Sequence, residues 1–303
     1  MKIDAVLIAG PTASGKSAAA LDLAQHIGGV VINADSMQVY REAPILTAQP
    51  DADARARVPH LLYGHVSARE AYSVGRYETD ARRALDRARA MNRVPIFVGG
   101  TGLYFSALTD GLAQVPPIPA ETRLEARALL VQIGVEDLHK RLAARDPETA
   151  AQLRPSDPQR VLRAYEVLEA TGRPLSHWQR DANAPVLKDL KLARFVLDPP
   201  RPVLRTRIAE RFEAMLDRGA REEVLALADL DPVQPAAKLL GLRPLLAHVR
   251  GEVDRTEAVL QAVTATRQFA TRQKTWVRSR MADYVWMDPF QGNIITAYEL
   301  FTV

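Results

Sequence analysis

An eight-residue segment near the start of the chain, Gly10–Ser17, constrains the fold more than any other part of the sequence. It reads GPTASGKS and fits the pattern G-x-x-x-x-G-K-[ST]. The apolar run Ala5–Ala9 precedes it, and a helical pattern carrying Leu21 and Leu23 follows it. A strand, a glycine loop and a helix in this order predict a loop whose backbone N–H groups surround a phosphate group. The pattern indicates a diphosphate or polyphosphate ligand and does not select ATP.

Two side chains of this loop are suited to the same ligand. We expect Lys16 to bring a full positive charge to the terminal phosphate, and the hydroxyl of Ser17 to coordinate a Mg²⁺ ion that bridges phosphate oxygens. The loop residues predicted to bind the diphosphate are Gly10, Pro11, Thr12, Ala13, Ser14, Gly15, Lys16 and Ser17.

Short apolar runs alternate with helical patterns along most of the chain. The candidate strands are Ala5–Ala9, Val30–Asn33, Leu61–Tyr63, Val94–Val98, Phe195–Leu197 and Tyr284–Trp286. Because long helical segments separate most of them, we predict an α/β fold of the P-loop NTPase type, with a doubly wound parallel sheet.

This alternation stops between Gln114 and about Lys191, where only helical patterns occur. Within that stretch, Asp157 and Pro158 predict a helix start, as N-cap and first helical residue, and Gly172 predicts its end. We therefore expect a catalytic core formed by residues 1–113 and 192–303, with a helical insertion domain at residues 114–191.

Two further helical patterns are rich in arginine. The first, Pro202–Arg218, has an apolar stripe with Arg207 and Arg211 on a neighbouring face, and the second runs from about Glu257 to Arg280. Because the net charge of the chain is only +4, charge alone leaves two interpretations of these arginines open. They form either a nucleic-acid-binding surface or a solvated, arginine-rich face.

A second and a third motif follow predicted strands. NADSMQVY (Asn33–Tyr40) places Asp35 at the carboxyl end of a strand, where it should face the phosphate loop. Asp35 could coordinate Mg²⁺, accept a proton from a nucleophile, or simply cap a helix. GGTGLY (Gly99–Tyr104) gives Thr101 a place in the same cleft. Its glycines permit a ligand to approach the backbone, although a tight strand–helix turn explains them equally well.

The three motifs together, in this order and spacing, resemble the tRNA dimethylallyltransferase family, the bacterial-type tRNA isopentenyltransferases. The resemblance continues through EAYSV (Glu70–Val74), the helix Asp157–Ser176 and the segment Thr264–Arg278, and so covers nearly the whole chain. It implies transfer of a dimethylallyl group from dimethylallyl diphosphate to N6 of adenosine 37 in the tRNA anticodon stem-loop, with Mg²⁺ as cofactor. The chain departs from the family pattern at Leu242, where tyrosine is usual, and at Gly64, where an acidic residue is common.

The resemblance also implies roles for individual residues. Asp35 would be the general base or the hydrogen-bond acceptor for N6, with Thr101 and Arg123 at the reaction centre or the tRNA. Arg207 and Arg211 would be further diphosphate ligands, and Ser17 and Asp35 would hold the Mg²⁺ ion. The residues implied to contact tRNA are Asp35, Ser36, Met37, Gln38, Gln159, Arg160, Val161, Leu162, Arg163, Lys238, Gly241, Arg243, Thr271, Arg272, Gln273, Lys274 and Arg278.

The composition excludes some classes of protein and leaves three other functions open. The chain has no cysteine, which rules out disulfides and cysteine-based zinc sites, and no apolar run of membrane-spanning length. We expect a cytoplasmic monomer without an obligate protein partner. The alternatives are a P-loop small-molecule kinase, a prenyltransferase acting on free adenine nucleotides, and a non-catalytic RNA-binding NTPase switch.

Overall fold

A computed structural model gives the fold of residues 2–302. The chain divides into two compact units, one formed by residues 1–109 and 186–303 and the other by residues 110–185. The second unit therefore begins and ends a few residues before the predicted boundaries at residues 114 and 191. The first unit contains the strands β1 (Ala5–Ala9), β2 (Gly29–Asn33), β3 (His60–Leu61), β4 (Val94–Gly99), β5 (Leu192–Leu197) and β6 (Val285–Met287).

The helices fall into three groups along the chain. The first unit begins with α1 (Lys16–Ile27), α2 (Ala52–Arg57), α3 (Val74–Ala90) and α4 (Gly102–Thr109). The second unit contains α5 (Ala120–Arg145), α6 (Pro147–Ala151), α7 (Pro158–Thr171) and α8 (Leu175–Arg180). The first unit then resumes with α9 (Arg201–Asp217), α10 (Ala220–Ala226), a 3₁₀ helix (Pro235–Lys238), α11 (Leu242–Val249), α12 (Arg255–Arg280) and α13 (Ile294–Glu299).

The six strands form one parallel sheet in the order β3-β2-β4-β1-β5-β6. Each predicted strand corresponds to one of them, and the predicted α/β class is confirmed. The chain moves from β1 toward one edge of the sheet first and reaches β5 on the other side of β1 only later. The strand order therefore reverses at β1, and in such sheets ligands bind beyond the carboxyl end of the strand at that point.

The core of the first unit lies against the central strands. Val6, Ile8 and Phe195 are fully buried and pack with Leu23 of α1 and Ile294 of α13. At about 25 cal/mol per Å² of apolar surface, burying side chains of this size stabilises the unit by roughly 1.5–3 kcal/mol each. This packing fixes α1, and with it the phosphate loop, above the end of β1.

The second unit has its own small core, formed by Leu142, Ala150, Ala164 and Leu168. Helix α7 has the ends that the sequence predicts. The carboxylate of Asp157 accepts a hydrogen bond from the Arg160 N–H, and Gly172 ends the helix in a left-handed conformation with φ of 64°.

The predicted bounds of the two arginine-rich helices are correct to within two residues. Helix α9 buries the predicted stripe of Leu204, Ile208, Phe212 and Met215. Helix α12 begins after Asp254, whose carboxylate accepts a hydrogen bond from the Glu257 N–H. Within residues 2–302, none of the helices is both long enough and apolar enough to cross a membrane.

Candidate active site

The phosphate loop takes a strained turn between β1 and α1. Gly15 lies in the left-handed region with φ of 89°, and so does Ala13, which lacks the freedom of glycine, with φ of 65°. At Gly10, a Cβ atom would lie 2.6 Å from the Leu197 carbonyl oxygen, so only glycine fits between the loop and β5. The loop conformation thus follows from the glycines of the motif.

Lys16 is almost completely buried in this loop, and its Nζ donates a hydrogen bond to the Pro11 carbonyl at 3.1 Å. Burial lowers its pKa from 10.5 to about 8; the nearby Asp35 carboxylate opposes this shift and the Arg211 guanidinium adds to it. A partly desolvated ammonium group interacts strongly with an anion, because few water molecules screen it.

Two arginines of α9 contact the phosphate loop. Arg211 donates a hydrogen bond from Nη2 to the Thr12 hydroxyl at 2.6 Å, and Arg207 donates from Nε to the Ala13 carbonyl at 3.3 Å. The guanidinium of Arg207 also lies 4.5 Å from the centre of the Phe290 ring. The structure therefore brings both predicted diphosphate ligands to the loop that carries Lys16.

Asp35 lies in a buried turn at the carboxyl end of β2, with only 8% of its surface exposed. The Asn33 side chain holds this turn, since its Oδ1 accepts from the Asp35 N–H and its Nδ2 donates to the Asp35 carbonyl. One carboxylate oxygen of Asp35 accepts from the Met37 N–H at 3.0 Å. Because no helix follows, the alternative role of Asp35 as a helix N-cap is wrong.

Thr101 fixes the position of the same turn from β4. Its hydroxyl accepts a hydrogen bond from the Ser36 N–H at 2.8 Å and donates one to the Ser36 hydroxyl at 3.1 Å. Gly99 makes this contact possible, because a Cβ atom there would overlap the Ala34 backbone at 2.0 Å. The predicted proximity of Thr101 to Asp35 is thus observed, and Thr101 contacts the residue that follows the carboxylate.

A narrow pocket opens beside the phosphate loop and Asp35. Thr12, Asp35 and Arg211 form its polar end. The remaining wall is largely apolar and consists of Met37, Leu46, Thr47, Ile208, Phe212, Met215, Leu240, Thr266 and Phe269. A site that is polar at a phosphate loop and apolar beyond it matches a small hydrocarbon chain attached to a diphosphate.

Gln273 of α12 belongs to the site in a way that the sequence interpretation missed. Its side chain is buried, its Oε1 accepts from the Thr12 N–H at 2.8 Å, and its Nε2 donates to the Gly100 carbonyl at 2.9 Å. Because its side chain is only 6% exposed, the predicted contact of Gln273 with tRNA is wrong. Helical spacing indicates that Gln273 is buried, because it shares a face with Thr266 and Val277, but the spacing does not indicate which groups it bonds.

Gly100 and Gly102 of the third motif leave room for α12, which corrects the interpretation that they leave room for a ligand. A Cβ atom at Gly100 would lie 2.1 Å from Nε2 of Gln273, and one at Gly102 would lie 2.2 Å from the Trp276 ring. These glycines let α12 pack directly onto the turn after β4.

The other residues predicted to contact tRNA from the first unit differ in exposure. Lys238, Arg243, Thr271 and Arg272 are exposed. Gly241 is buried, and a Cβ atom there would lie 2.7 Å from the Phe212 ring, so the prediction of a tRNA contact at Gly241 is wrong.

Two predicted tRNA-binding cations of α12 are already paired. The Lys274 Nζ lies 2.5 Å and the Arg278 Nη2 3.5 Å from the Asp198 carboxylate. Asp198 follows β5 and is mostly buried, so this ion pair also joins α12 to the sheet. Gln38 is similarly engaged, because its Nε2 donates to the carbonyls of Thr47 and Ala48.

In the second unit, the predicted tRNA-binding residues lie at the start of α7. Gln159 and Arg160 are exposed, and Leu162 and Arg163 are partly exposed. Val161 is fully buried, so its predicted tRNA contact is wrong: its side chain is on the packed face of the helix.

Arg123, which was predicted to act at the reaction centre or to contact the tRNA, is an exposed residue of α5 in the second unit. It lies close enough to Arg163 for its positive charge to lower the pKa of that guanidinium, although burial is the main cause of the shift and Glu166 opposes it. Its predicted role, at the reaction centre or in contact with the tRNA, stays a prediction.

The two predicted Mg²⁺ ligands offer one hydroxyl and one carboxylate. Ser17 is exposed at the first turn of α1, and Asp35 lines the pocket beside the loop. Residues 2–302 contain no cluster of three acidic or histidine side chains that could hold a metal ion alone. The oxygen donors fit Mg²⁺ only as an ion that also binds a substrate diphosphate and water.

Comparison with known proteins finds relatives along nearly the whole chain. The family model described as IPP transferase matches residues 38–280, and the one described as isopentenyl transferase matches residues 3–54. A curated tRNA dimethylallyltransferase of Nitrobacter hamburgensis is 53% identical over 96% of this chain and 92% of its own. A second, from Azorhizobium caulinodans, is 52% identical over 98% of this chain and 95% of its own.

The chain belongs to the tRNA dimethylallyltransferase family. Solved structures show the same fold. A tRNA isopentenylpyrophosphate transferase from Bacillus halodurans superposes with a TM-score of 0.67 at 32% identity, covering 95% of this chain and 90% of that one. A eukaryotic dimethylallyltransferase acting on tRNA superposes with a TM-score of 0.80 at 27% identity, covering 95% of this chain and 74% of that one.

The structure accounts for both departures from the pattern of tRNA dimethylallyltransferases. Leu242 is buried at the start of α11 with 2% of its surface exposed, so an apolar side chain suits the position. Gly64 has φ of 57°, and its N–H donates to the Gln38 carbonyl in a tight turn that favours glycine.

Proposed function

We propose that this chain transfers the dimethylallyl group of dimethylallyl diphosphate to N6 of adenosine 37 in the anticodon stem-loop of tRNA. The observation that carries the proposal is the pocket shared by the phosphate loop, Asp35 and an apolar wall. It offers a place for a diphosphate, for a short hydrocarbon and for a base that reacts with the hydrocarbon. Because tRNA is the acceptor, the proposal includes a cytoplasmic location.

The leaving group sets the first requirement of the reaction. As N6 bonds to carbon 1 of the dimethylallyl group, the bond from carbon 1 to the diphosphate oxygen breaks and negative charge builds up on the diphosphate. Lys16, Arg211 and Arg207 converge on the phosphate loop and would stabilise that charge in the transition state. Mg²⁺ bound through the Ser17 hydroxyl would supply further charge neutralisation.

The nucleophile sets the second requirement. The N6 amine of adenine is weakly nucleophilic and must lose a proton when it is alkylated. Asp35 faces the pocket and retains one carboxylate oxygen that is not bonded to the Met37 N–H. It would hold N6 in place and take the proton. The acceptor base must leave its stack in the anticodon loop to reach so enclosed a carboxylate.

Affinity for tRNA would come from basic side chains that contact phosphates. Lys238, Arg243 and Arg272 are exposed on the first unit. A groove of about 420 Å³ between α9 and α12 adds Arg201, Arg205 and Arg267. The exposed residues Gln159 and Arg160 of α7 would supply contacts from the second unit.

A transfer assay tests the proposal. Unmodified tRNA, or AMP in its place, is incubated with radiolabelled dimethylallyl diphosphate, Mg²⁺ and no ATP. Label in tRNA alone supports the proposal. Label in AMP alone indicates the free-nucleotide enzyme, and no label in either indicates the kinase or the NTPase switch, for which ATP turnover is the next measurement.

A further inference from the structure

The segment Ala43–Gln49, which supplies Leu46 and Thr47 to the pocket wall, folds as a single helical turn. Its backbone bonds run from the Thr47 N–H to the Ala43 carbonyl at 3.1 Å and from the Gln49 N–H to the Pro44 carbonyl at 2.9 Å. The N–H groups at the start of such a turn have no partner within it. Here these are the N–H groups of Ile45 and Leu46.

The carboxylate of Glu223 accepts both of them. Its Oε1 lies 2.7 Å from the Ile45 nitrogen and its Oε2 lies 2.8 Å from the Leu46 nitrogen. Glu223 belongs to α10, and 178 residues separate it from Ile45. A half-buried carboxylate that uses each oxygen for a backbone N–H acts as an N-cap supplied from another helix.

Other contacts fix the opposite side of the turn. Gln38 donates to the carbonyls of Thr47 and Ala48, at 3.0 and 2.7 Å. Leu46 lies against Gly241, where a Cβ atom would come within 3.2 Å of its Cδ1. Leu46 is only 6% exposed. Three contacts thus fix this part of the wall: Glu223 at the Leu46 N–H, Gln38 at the carbonyls that follow Leu46, and Gly241 at the Leu46 side chain.

We propose that Glu223 is a positioning residue that fixes the Leu46–Thr47 wall against the hydrocarbon part of the prenyl donor. This inference rests on the proposed function, because it assigns the apolar end of the pocket to the dimethylallyl group. Glu223 does not line the pocket and acts only through the backbone of Ile45 and Leu46. Its loss therefore weakens recognition of the hydrocarbon and leaves the phosphate loop intact.

The test compares two ligands in the full-length protein. Dissociation constants are measured for inorganic diphosphate and for dimethylallyl S-thiolodiphosphate, a donor analogue with a poor leaving group. The first variant, Glu223→Gln, keeps one acceptor oxygen and places an N–H₂ group against the other backbone N–H. The second variant, Glu223→Asp, keeps both acceptor oxygens. Glu222→Gln is the matched control, because Glu222 is the exposed neighbour on α10 and loses the same charge.

We expect Glu223→Gln to raise the dissociation constant of the prenyl analogue about tenfold and that of inorganic diphosphate less than twofold. Glu223→Asp should recover part of the loss, and Glu222→Gln should match the wild type. If both ligands bound more weakly by the same factor, Glu223 would have a general structural role. If the binding of neither ligand changed, the wall would stay in place without Glu223. Either result overturns the inference. Failure of the proposed function would be seen separately, as a wild-type protein that transfers no prenyl label to tRNA.

Discussion

The side chain of Gln273 joins the phosphate loop to the turn after β4, because its Oε1 accepts from the Thr12 N–H and its Nε2 donates to the Gly100 carbonyl. A neutral amide is suited to this position, since one group must accept and the other must donate. A helix that begins at Arg255 thereby holds the phosphate loop in place.

Replacing this amide with a hydrocarbon should disturb both stability and catalysis. Gln273→Leu leaves the Thr12 N–H and the Gly100 carbonyl without partners in a buried region, at a cost of about 1–3 kcal/mol for each group. We expect a lower melting temperature and a higher KM for the prenyl donor. Gln268→Leu, on the exposed face of the same helix, is the control. A Gln273→Leu protein with unchanged KM would contradict the link between α12 and the loop.

Neutralising Asp35 should affect the chemical step and spare donor binding. Asp35→Asn keeps the size of the side chain and its bond to the Met37 N–H, and removes the proton acceptor. We expect kcat to fall by roughly 10²- to 10⁴-fold, while the affinity for dimethylallyl S-thiolodiphosphate changes little. Transfer to tRNA at saturating concentrations of both substrates measures the first quantity and calorimetry the second. A variant with wild-type kcat would remove Asp35 from the chemistry.

The lowered pKa of Lys16 predicts a pH dependence of donor binding. Because its pKa in the free enzyme is about 8, Lys16 loses its charge above that pH, and the affinity for dimethylallyl S-thiolodiphosphate should fall on the alkaline side. Bound diphosphate stabilises the charged form of Lys16 and so raises its pKa. The fall of kcat on the alkaline side should therefore occur at a higher pH than the fall of donor affinity. An affinity that stays constant up to pH 10 would contradict the assignment of Lys16 to the diphosphate.

The same pKa has a consequence for stability. The folded-state pKa of about 8 lies below the ordinary value of 10.5, so the unfolded chain binds more protons than the folded chain between these two pH values. Through Lys16, the free energy of unfolding therefore increases as pH rises from about 8 to 10.5. This increase is lost again as pH falls back through 8. Comparing urea unfolding of the wild type and of Lys16→Met isolates this term.

The exposure of the basic residues changes the expectation for tRNA binding. The double variant Lys238→Gln and Arg243→Gln removes two exposed cations. It should reduce the magnitude of the slope of log K against log salt concentration by about 2, where K is the association constant for tRNA. Lys274→Gln instead leaves the mostly buried Asp198 with one partner fewer and should lower the melting temperature. An unchanged salt slope in the first variant would show that this face does not meet RNA.

Most of the fold could be predicted from the sequence, because strand lengths, glycine loops and helix caps are local signals. The positions of β1, Lys16 and the Asp157 cap followed from such signals. Contacts over long distances in the sequence could not be found in this way. The bonds of Gln273 to Thr12 and of Glu223 to Ile45 depend on how α12 and α10 pack, which no local pattern specifies.

The candidate site was predicted in the same uneven way. Asp35 and Thr101 lie where the motifs placed them, since the carboxyl ends of parallel strands share one edge of a sheet. Arg211 reaches the same pocket from α9, a position that only the family resemblance indicated. Val161 and Gln273 were assigned to tRNA because the family resemblance implied contacts for whole segments, and both side chains are buried. In a helix, however, the residue beside an exposed cation is often on the buried face.

The measurement that tests the central claim most directly is position-specific detection of the product. Unmodified tRNA and the same tRNA with guanosine at position 37 are incubated with dimethylallyl diphosphate and Mg²⁺, digested to nucleosides and examined by mass spectrometry. The account predicts N6-(dimethylallyl)adenosine from the first tRNA, none from the second and none with Asp35→Asn in the same time. The modified nucleoside in equal amount from both tRNAs, or from neither, would contradict it.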